Sequence, residues 1–428
     1  MKNIILITID CLRADRLEMM PNLKRIASKG MNFEQCISLS RSTPSSFIGM
    51  FTSTYPLMYN GKMWMSEPRK PFAEILQNAG YHTVAVHSNP WISSLTGYDR
   101  GFDVFDDGIS ENISLLTRLR NYAMTKVPVN TGAFNFMSNI YGAMFGGAYI
   151  NAEETNKKAL SYGYWNKKPY FMWLHYMDAH EPHLDGNIFN RWDTSKLESR
   201  ARRTPDHINL KGEVKLRCIY NDRVKYIDDK IGELLDHPKT CKMINNSIII
   251  ITADHGYQLF EHGYYTHAGN SLWEELIRIP LIICGDGIPN NLIQDQVSHI
   301  DLAPTILDLA GIRKPDCYMG SSLMRLLLKT NNELNAFSEA DNTVAEGQLR
   351  QWSRYPILDN LYAVISLRKN DWKYIWRNQG KDEFYNLGTD PEERHNLINN
   401  KITQSIKDDM FTTVMKHIDK ERYGSIRL

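Results

Sequence analysis

Five apolar runs restrict most strongly what this chain can fold into. They are "NIILITID" (3–10), "HTVAVHSNP" (82–90), "YFMWLHYMDAH" (170–180), "SIIIITADHG" (247–256) and "PLIICGDG" (280–287). Each stops abruptly at polar residues. A strand with one wet face alternates apolar and polar side chains; an unbroken run requires cover on both faces, as in a central strand between helical layers. Helical patterns lie between the runs: "PNLKRIASKG" (21–30), "FAEILQNAG" (72–80) and "LKGEVKLRCIYNDRVKYIDDKIGELLDH" (210–237). Strands alternating with helices predict an α/β fold around a large, mostly parallel sheet. Ligands of such sheets bind outside the carboxyl ends of the strands. That rule singles out Asp10, Asn89, Asp178, His180, Asp254 and His255, each at such an end.

After about residue 330 the texture changes. "YAVISLRKNDWKYIWRNQGKDEFYNL" (362–387) holds two strand-like pieces around a polar turn, and a helix is expected near 399–421. The reading is a catalytic body over 1–330, with an insertion at about 108–165, and a small antiparallel α+β subdomain over 331–428. Within the insertion, "GAFNFMSNIYGAMFGGAYI" (132–150) is broken by Asn, Ser and Gly, short of the about eighteen uninterrupted apolar residues a membrane span needs. It reads as a buried insertion, with a lid, a contact surface or a membrane-leaning segment as alternatives.

The formal net charge is +1, so no overall field favours nucleic acid or an anionic membrane as a partner. Six scattered cysteines contain no CxxC pair, which excludes zinc-ribbon and redox motifs. The short apolar N-terminus runs straight into Asp10 and lacks a small-residue cleavage site, so a reduced, cytoplasmic setting is expected. Oligomeric state is open.

Two kinds of feature carry chemistry. Asp10 offers a carboxylate from the first strand, and "ADHG" offers Asp254 and His255 from a later one, a set of donors suited to a metal; an aspartate closing a strand is also a common helix cap, and Asp-His-Gly a common turn. "SLSRSTPSSFIGMFTSTYP" (38–56) gathers Ser42, Thr43, Ser45 and Ser46 around Pro44 where a helix begins. A hydroxyl there serves as an N-cap, or as a nucleophile beside the free N–H groups of the first turn.

"NIILITIDCLRADRL", "RSTPSSFIGMFTSTYP", "ADHG" and "HAGNSLWEELIRIPLII" together resemble the sulfatase family of the alkaline phosphatase-like superfamily. So do "SHIDLAPTILDLAGI", "LRKNDWKYI" and "EFYNLGTDPEERHNL", all in family order. The resemblance implies an α/β/α sandwich and a divalent cation held by Asp10, Asp254, His255 and the nucleophile. The first aspartate is often doubled in sulfatases; here Cys11 follows, so that extra ligand is missing. The family nucleophile is Cys or Ser with proline two residues on and arginine two beyond. Counting back without gaps from "MFTSTYP" places it on Thr43 and the arginine on Phe47, whereas counting from Pro44 places it on Ser42. Thr43 is preferred, which rules out a formylglycine and resembles the Thr-nucleophile phosphodiesterase and phosphoglycerol-transferase branches. His180 and His267 resemble positions that contact substrate oxygens or protonate the leaving group. Asn89, Arg41 and Arg13 are candidates for anion contacts, with an Arg13–Asp15 ion pair as the plainer reading. Oxygen donors suit calcium or magnesium, and His255 tilts the set toward manganese or zinc. One cation is expected; a second is conceivable at Asp178, His180, His183 and His267. The implied function is hydrolysis of a sulfate or phosphate ester, on a small molecule or a glycan, through a covalent Thr43 intermediate. The alternatives are a phosphoglycerol- or phosphoethanolamine-type transferase acting on a glycan or lipid, and a non-catalytic protein that binds an anionic glycan.

Overall fold

The structure is a computed structural model that describes every residue except 60–63, 66, 109–148, 163–168, 184–187, 241–245, 268–270, 329–334, 342–362, 379 and 424–428. Most of the expected insertion, including nearly all of 132–150, lies outside the described residues. The first strands are β1 (Asn3–Ile9), β2 (Gly30–Ile37), β3 (His82–Val86), β4 (Val104–Asp106), β5 (Tyr170–Tyr176) and β6 (Ser247–Ala253); β1, β3, β5 and β6 come from the apolar runs, while β2 and β4 lie outside them. A short hairpin, β7 (Gln258–Leu259) with β8 (Tyr265–Thr266), precedes β9 (Arg278–Gly285), β10 (Asn291–Ile293) and β11 (Val297–Ser298).

The large sheet runs β10-β2-β9-β6-β1-β5-β3-β4, with β11 added beside β2. From β6 to β4 every pairing is parallel. β9 runs antiparallel to both β6 and β2, so the sheet is mixed but mostly parallel. Residues of β1, β5 and β6 are buried without exception, which explains their unbroken apolar character. Each Ile, Leu or Phe so enclosed contributes on the order of 1.5–3 kcal/mol. Helices Pro21–Ala27, Phe72–Asn78 and Leu210–Asp236 match the three helical patterns.

A separate antiparallel sheet contains β12 (Ala336–Asp341), β13 (Ala363–Lys369), β14 (Trp372–Arg377) and β15 (Glu383–Asn386), in that order. The final helix, Gln404–Tyr423, packs on it through Met410 and Val414. Among the described residues, no helix is long and apolar enough to cross a membrane.

Candidate active site

Register alone brings the first carboxylates together. Ile9 of β1 pairs with Ala253 of β6, so Asp10 and Asp254 leave neighbouring parallel strands side by side. On the other flank Thr8 pairs with His175 of β5, and Val86 of β3 pairs with Leu174, which sets Asn89 beyond the next strand end. Both aspartates and His255 are fully buried. Asp254 Oδ1 accepts the backbone N–H groups of His255 (2.8 Å) and Cys11 (3.1 Å), leaving Oδ2 without a hydrogen-bond partner. Asp10 Oδ2 accepts from Asn89 Nδ2 at 3.1 Å and lies 3.3 Å from His175 Nε2, and Asp10 Oδ1 is also unpartnered. The His255 Nδ1–H donates to the Gly256 carbonyl at 2.8 Å. Its Nε2 faces Asp254 Oδ2 at 3.5 Å and Asp10 Oδ1 at 4.0 Å.

Helix Thr43–Thr52 opens at this point, with Ser42 as its N-cap residue and Pro44 in the first turn. The cap reading fails in detail, because no side-chain cap bond forms at Ser42. Its hydroxyl instead donates to Ser45 Oγ at 3.2 Å. Ser46 Oγ closes the preceding loop on Ser40 O at 3.0 Å and Ser38 Oγ at 3.0 Å. The Thr43 hydroxyl enters the carboxylate cluster, 3.3 Å from Asp10 Oδ2 and 3.3 Å from His255 Nε2. Phe47, at the position of the family arginine, is buried edge-on to His175 with ring centroids 5.0 Å apart.

Electrostatically, the cluster gathers donors of the kind a cation takes. Burial pushes the Asp10 carboxyl up, but His180, His175 and His255 outweigh it and hold the group below the usual carboxylate range. Burial and the Asp10 charge push Asp254 up. Two enclosed carboxylates, each with an oxygen that no hydrogen bond satisfies, beside the His255 Nε2 fit a divalent cation.

The remaining expected residues divide. His180 and His267 lie with ring centroids 5.6 Å apart, and His267 is 5.2 Å from His255. Burial, reinforced by His255, holds His267 neutral, with a pKa pushed down to about 3. His180 also suffers burial, but Glu181 and Asp10 raise it above the usual imidazole value. Arg41 donates to the His267 carbonyl. The Asn89 amide touches Asp10, so in this structure it orients a carboxylate. The Arg13 guanidinium is committed to Asp15, Glu261 and the Tyr257 carbonyl, as the ion-pair reading expected. The second cation set does not assemble. His183 bonds Glu198 through Nδ1 and the Ala179 carbonyl through Nε2, and Asp178 lies near Arg223 and His183. Among the described residues, His180 and His267 cluster instead with Glu181, Cys11, Asp10 and His255.

Three members were missed from the sequence. His175 sits inside an apolar strand, where a lone histidine reads as core; its one signal is the register against Thr8, to which its Nδ1 bonds at 2.9 Å. Glu181 is buried, bound to Arg202 and to Tyr257 Oη (2.9 Å). Cys11, read only as a missing carboxylate, is buried within the same group.

Comparison with known proteins agrees with this architecture. A sulfatase family model matches residues 2–312, and a model described as N-sulphoglucosamine sulphohydrolase, C-terminal, matches 260–420. N-acetylglucosamine-6-O-sulfatase of Bacteroides thetaiotaomicron is 24 % identical over 88 % of this chain and 78 % of its own length. An arylsulfatase of Clostridium perfringens is 22 % identical over 99 % of this chain and 95 % of its own. Choline-sulfatase of Rhizobium meliloti, at 28 % identity, aligns over 43 % of this chain and only 33 % of its own length. In fold, the chain superposes on a phosphonate monoester hydrolase from Silicibacter pomeroyi with a TM-score of 0.73 at 20 % identity, covering 100 % and 97 % of the two chains. A structure in complex with its substrate D-glucosamine-2-N,6-O-disulfate superposes with a TM-score of 0.68 at 17 % identity, covering 98 % of each. The family model spans well over half of the chain, and the chain therefore belongs to the sulfatase family of ester hydrolases, within the alkaline phosphatase-like superfamily.

Proposed function

We propose that this hydrolase cleaves a sulfate or phosphate ester through a covalent intermediate on Thr43, with Asp10, Asp254, His255 and the Thr43 hydroxyl holding one divalent cation. The observation that carries the reading is the Thr43 oxygen itself, 3.3 Å from both Asp10 Oδ2 and His255 Nε2 at the start of a ten-residue helix. Bound at these donors, a divalent cation favours the alkoxide and offsets charge on the ester's outer oxygens.

The chain's own residues account for the rest. Asn89 and His175 fix the Asp10 carboxylate, so the hydrogen bond from the Thr43 hydroxyl to Asp10 Oδ2 orients that hydroxyl, whose proton leaves to solvent as the bond to sulfur or phosphorus forms. Thr43 Oγ1 forms a bond to sulfur or phosphorus in line with the leaving oxygen, and the first-turn N–H groups of its helix add positive potential. As the bond to the leaving oxygen breaks, that oxygen takes a proton from His180, which is held by Glu181. Water then cleaves the Thr ester and returns the hydroxyl. His267 and Arg41 stand together beside this group, supplying a neutral imidazole and a positive charge for the substrate's anionic end. The relatives named for N-acetylglucosamine-6-O-sulfatase and arylsulfatase activity favour a sulfated sugar or aryl ester, and the phosphonate monoester hydrolase keeps phosphorus esters in contention.

The test is a substrate panel of p-nitrophenyl sulfate, a glucosamine 6-sulfate, a phosphate monoester, a phosphodiester and a phosphonate monoester. Each is assayed with manganese, zinc, calcium and magnesium. Turnover of at least one, with a sulfate or phosphate adduct located on Thr43 by high-resolution mass spectrometry, is the expected result. No turnover under any condition would return the protein to the glycan-binding reading, and an adduct on Ser42 would reassign the nucleophile.

A further inference from the structure

Two side chains of helix Ile188–Arg203 reach the loop that carries His180, and the chemistry above uses neither. Glu198 and Arg202 are four residues apart, so they leave one face of the helix about a turn from each other. The loop follows β5 and folds on itself: the His180 N–H donates to the Met177 carbonyl at 2.9 Å, and His183 Nε2 lies 3.0 Å from the Ala179 carbonyl. Glu198 grips one end of it. Both its carboxylate oxygens accept the His183 backbone N–H at 3.3 Å, and Oε1 lies 2.5 Å from His183 Nδ1. Arg202 grips the other end, donating to Glu181 Oε1, while Tyr257 Oη donates to Glu181 Oε2 at 2.9 Å. Tyr257 is itself stacked on Tyr220, with ring centroids 5.2 Å apart. Glu181 in turn sets the imidazole. His180 Nδ1–H donates to the Glu181 carbonyl, and Glu181 Oε2 stands 3.7 Å from the same nitrogen. Burial pushes the Glu181 carboxyl up, but His180, Arg202 and His267 outweigh it and hold the group below the usual carboxylate range.

We propose that Glu198 and Arg202 form a clamp that positions the proton donor: acting through His183 and Glu181, they hold the His180 imidazole at the departing oxygen. The inference rests on the reading of His180 as the acid for that oxygen, and adds the residues that place it. Neither clamp residue touches the reacting atoms. A proton donor works only within hydrogen-bond reach of its acceptor, and a displacement of about 1 Å costs on the order of 10²-fold in rate. The clamp matters in proportion to how much the leaving group needs the proton. An activated phenolate departs almost unaided, whereas the alkoxide of a sugar or a weakly acidic phenol does not. Positioning by the helix therefore extends the reaction to unactivated esters.

The probes are the p-nitrophenyl, phenyl and p-methoxyphenyl esters of whichever acid, sulfuric or phosphoric, the full-length protein releases. For the wild type, kcat/KM should depend only shallowly on leaving-group acidity. Arg202→Ala and Glu198→Gln should each keep p-nitrophenyl turnover within about threefold while lowering that of the p-methoxyphenyl ester roughly 10–100-fold. Arg202→Lys should restore most of the loss, and His180→Ala should give the steepest dependence of all. Arg203→Ala, exposed beside the clamp, should leave the series unchanged. The Arg202 side chain is 34 % exposed, so its variants keep the fold more readily than those of buried Glu198; thermal midpoints measured alongside identify any that do not. Equal losses across the three esters, or none, in folded Arg202→Ala overturn the clamp and leave His180 as the acid. A flat response of His180→Ala across the series overturns the acid role and the clamp together.

Discussion

At the residue scale, the question is which hydroxyl of a crowded stretch reacts. Thr43 reaches Asp10 and His255, whereas Ser42 is turned to Ser45. Thr43→Ala should therefore lower turnover by roughly 10³-fold or more with an unchanged circular dichroism spectrum, and Ser42→Ala should retain activity within about threefold. Steady-state rates on whichever panel ester is turned over decide it. Asn89 is the second residue-scale case. Its amide restrains Asp10 at 3.1 Å, so Asn89→Ala should weaken cation affinity about 10–100-fold, as loss of an outer partner of a metal ligand does. Competition dialysis against a chromophoric chelator reads that loss directly. The sequence indicated Asp10, Thr43, Asp254 and His255 because each sits at a strand end or helix start. The gapless count from "MFTSTYP" favoured Thr43 over Ser42, but local periodicity alone could not, since a one-residue step along a helix turns a side chain by about 100°.

At the element scale, the strand-end turn after β6 decides where two of the proposed ligands point. Gly256 follows Asp254 and His255, and its N–H donates to the Leu276 carbonyl at 2.7 Å. A Cβ at this glycine would lie 2.1 Å from the Glu275 carbonyl oxygen, closer than any real contact allows. Gly256→Ala should thus shift the turn, costing about 1–3 kcal/mol of stability and most of the cation affinity together. A denaturation midpoint measured beside a binding isotherm tests the coupling, and a stable variant with intact binding would contradict it. Asp-His-Gly forms a bend at the end of β6 that brings His255 Nε2 within 3.5 Å of Asp254 Oδ2 and 4.0 Å of Asp10 Oδ1. β9 shows the opposite limit. Its run "PLIICGDG" is as unbroken as the parallel strands, yet it runs antiparallel, because burial on both faces fixes composition but not direction.

At the scale of the whole molecule, buried charge ties the small sheet to the large one and sets the response to acid. Lys373 of β14 is fully buried, 3.1 Å from Glu274 and 2.9 Å from Glu393, while Arg368 of β13 lies 3.2 Å from Glu274. Lys373→Met leaves these carboxylates short of a partner and should destabilise the protein by roughly 3–5 kcal/mol, read from the urea midpoint. Burial pushes His299 down to about 3, with its Nε2 3.0 Å from Thr252 Oγ1. An unfolded imidazole titrates near about 6.5, so between there and about 3 the unfolded chain binds the extra proton and stability falls as pH is lowered. His267, also held near 3, and His87, held well below its usual value, act in the same direction. His299→Gln should flatten this acid limb by about one proton's worth of slope, measured as thermal midpoint against pH from 7 to 4. Such effects were beyond the sequence, where nothing marks His87 or His299 as more deeply buried than the other histidines. What the sequence determined by itself was the α/β class, the strand ends and the ordered family blocks, because burial on two faces and short motifs are written in consecutive residues. Tertiary structure alone decided that His175, Glu181 and Cys11 join the site while Arg13, Asp178 and His183 turn to other partners, because register and side-chain direction arise only when distant strands pair.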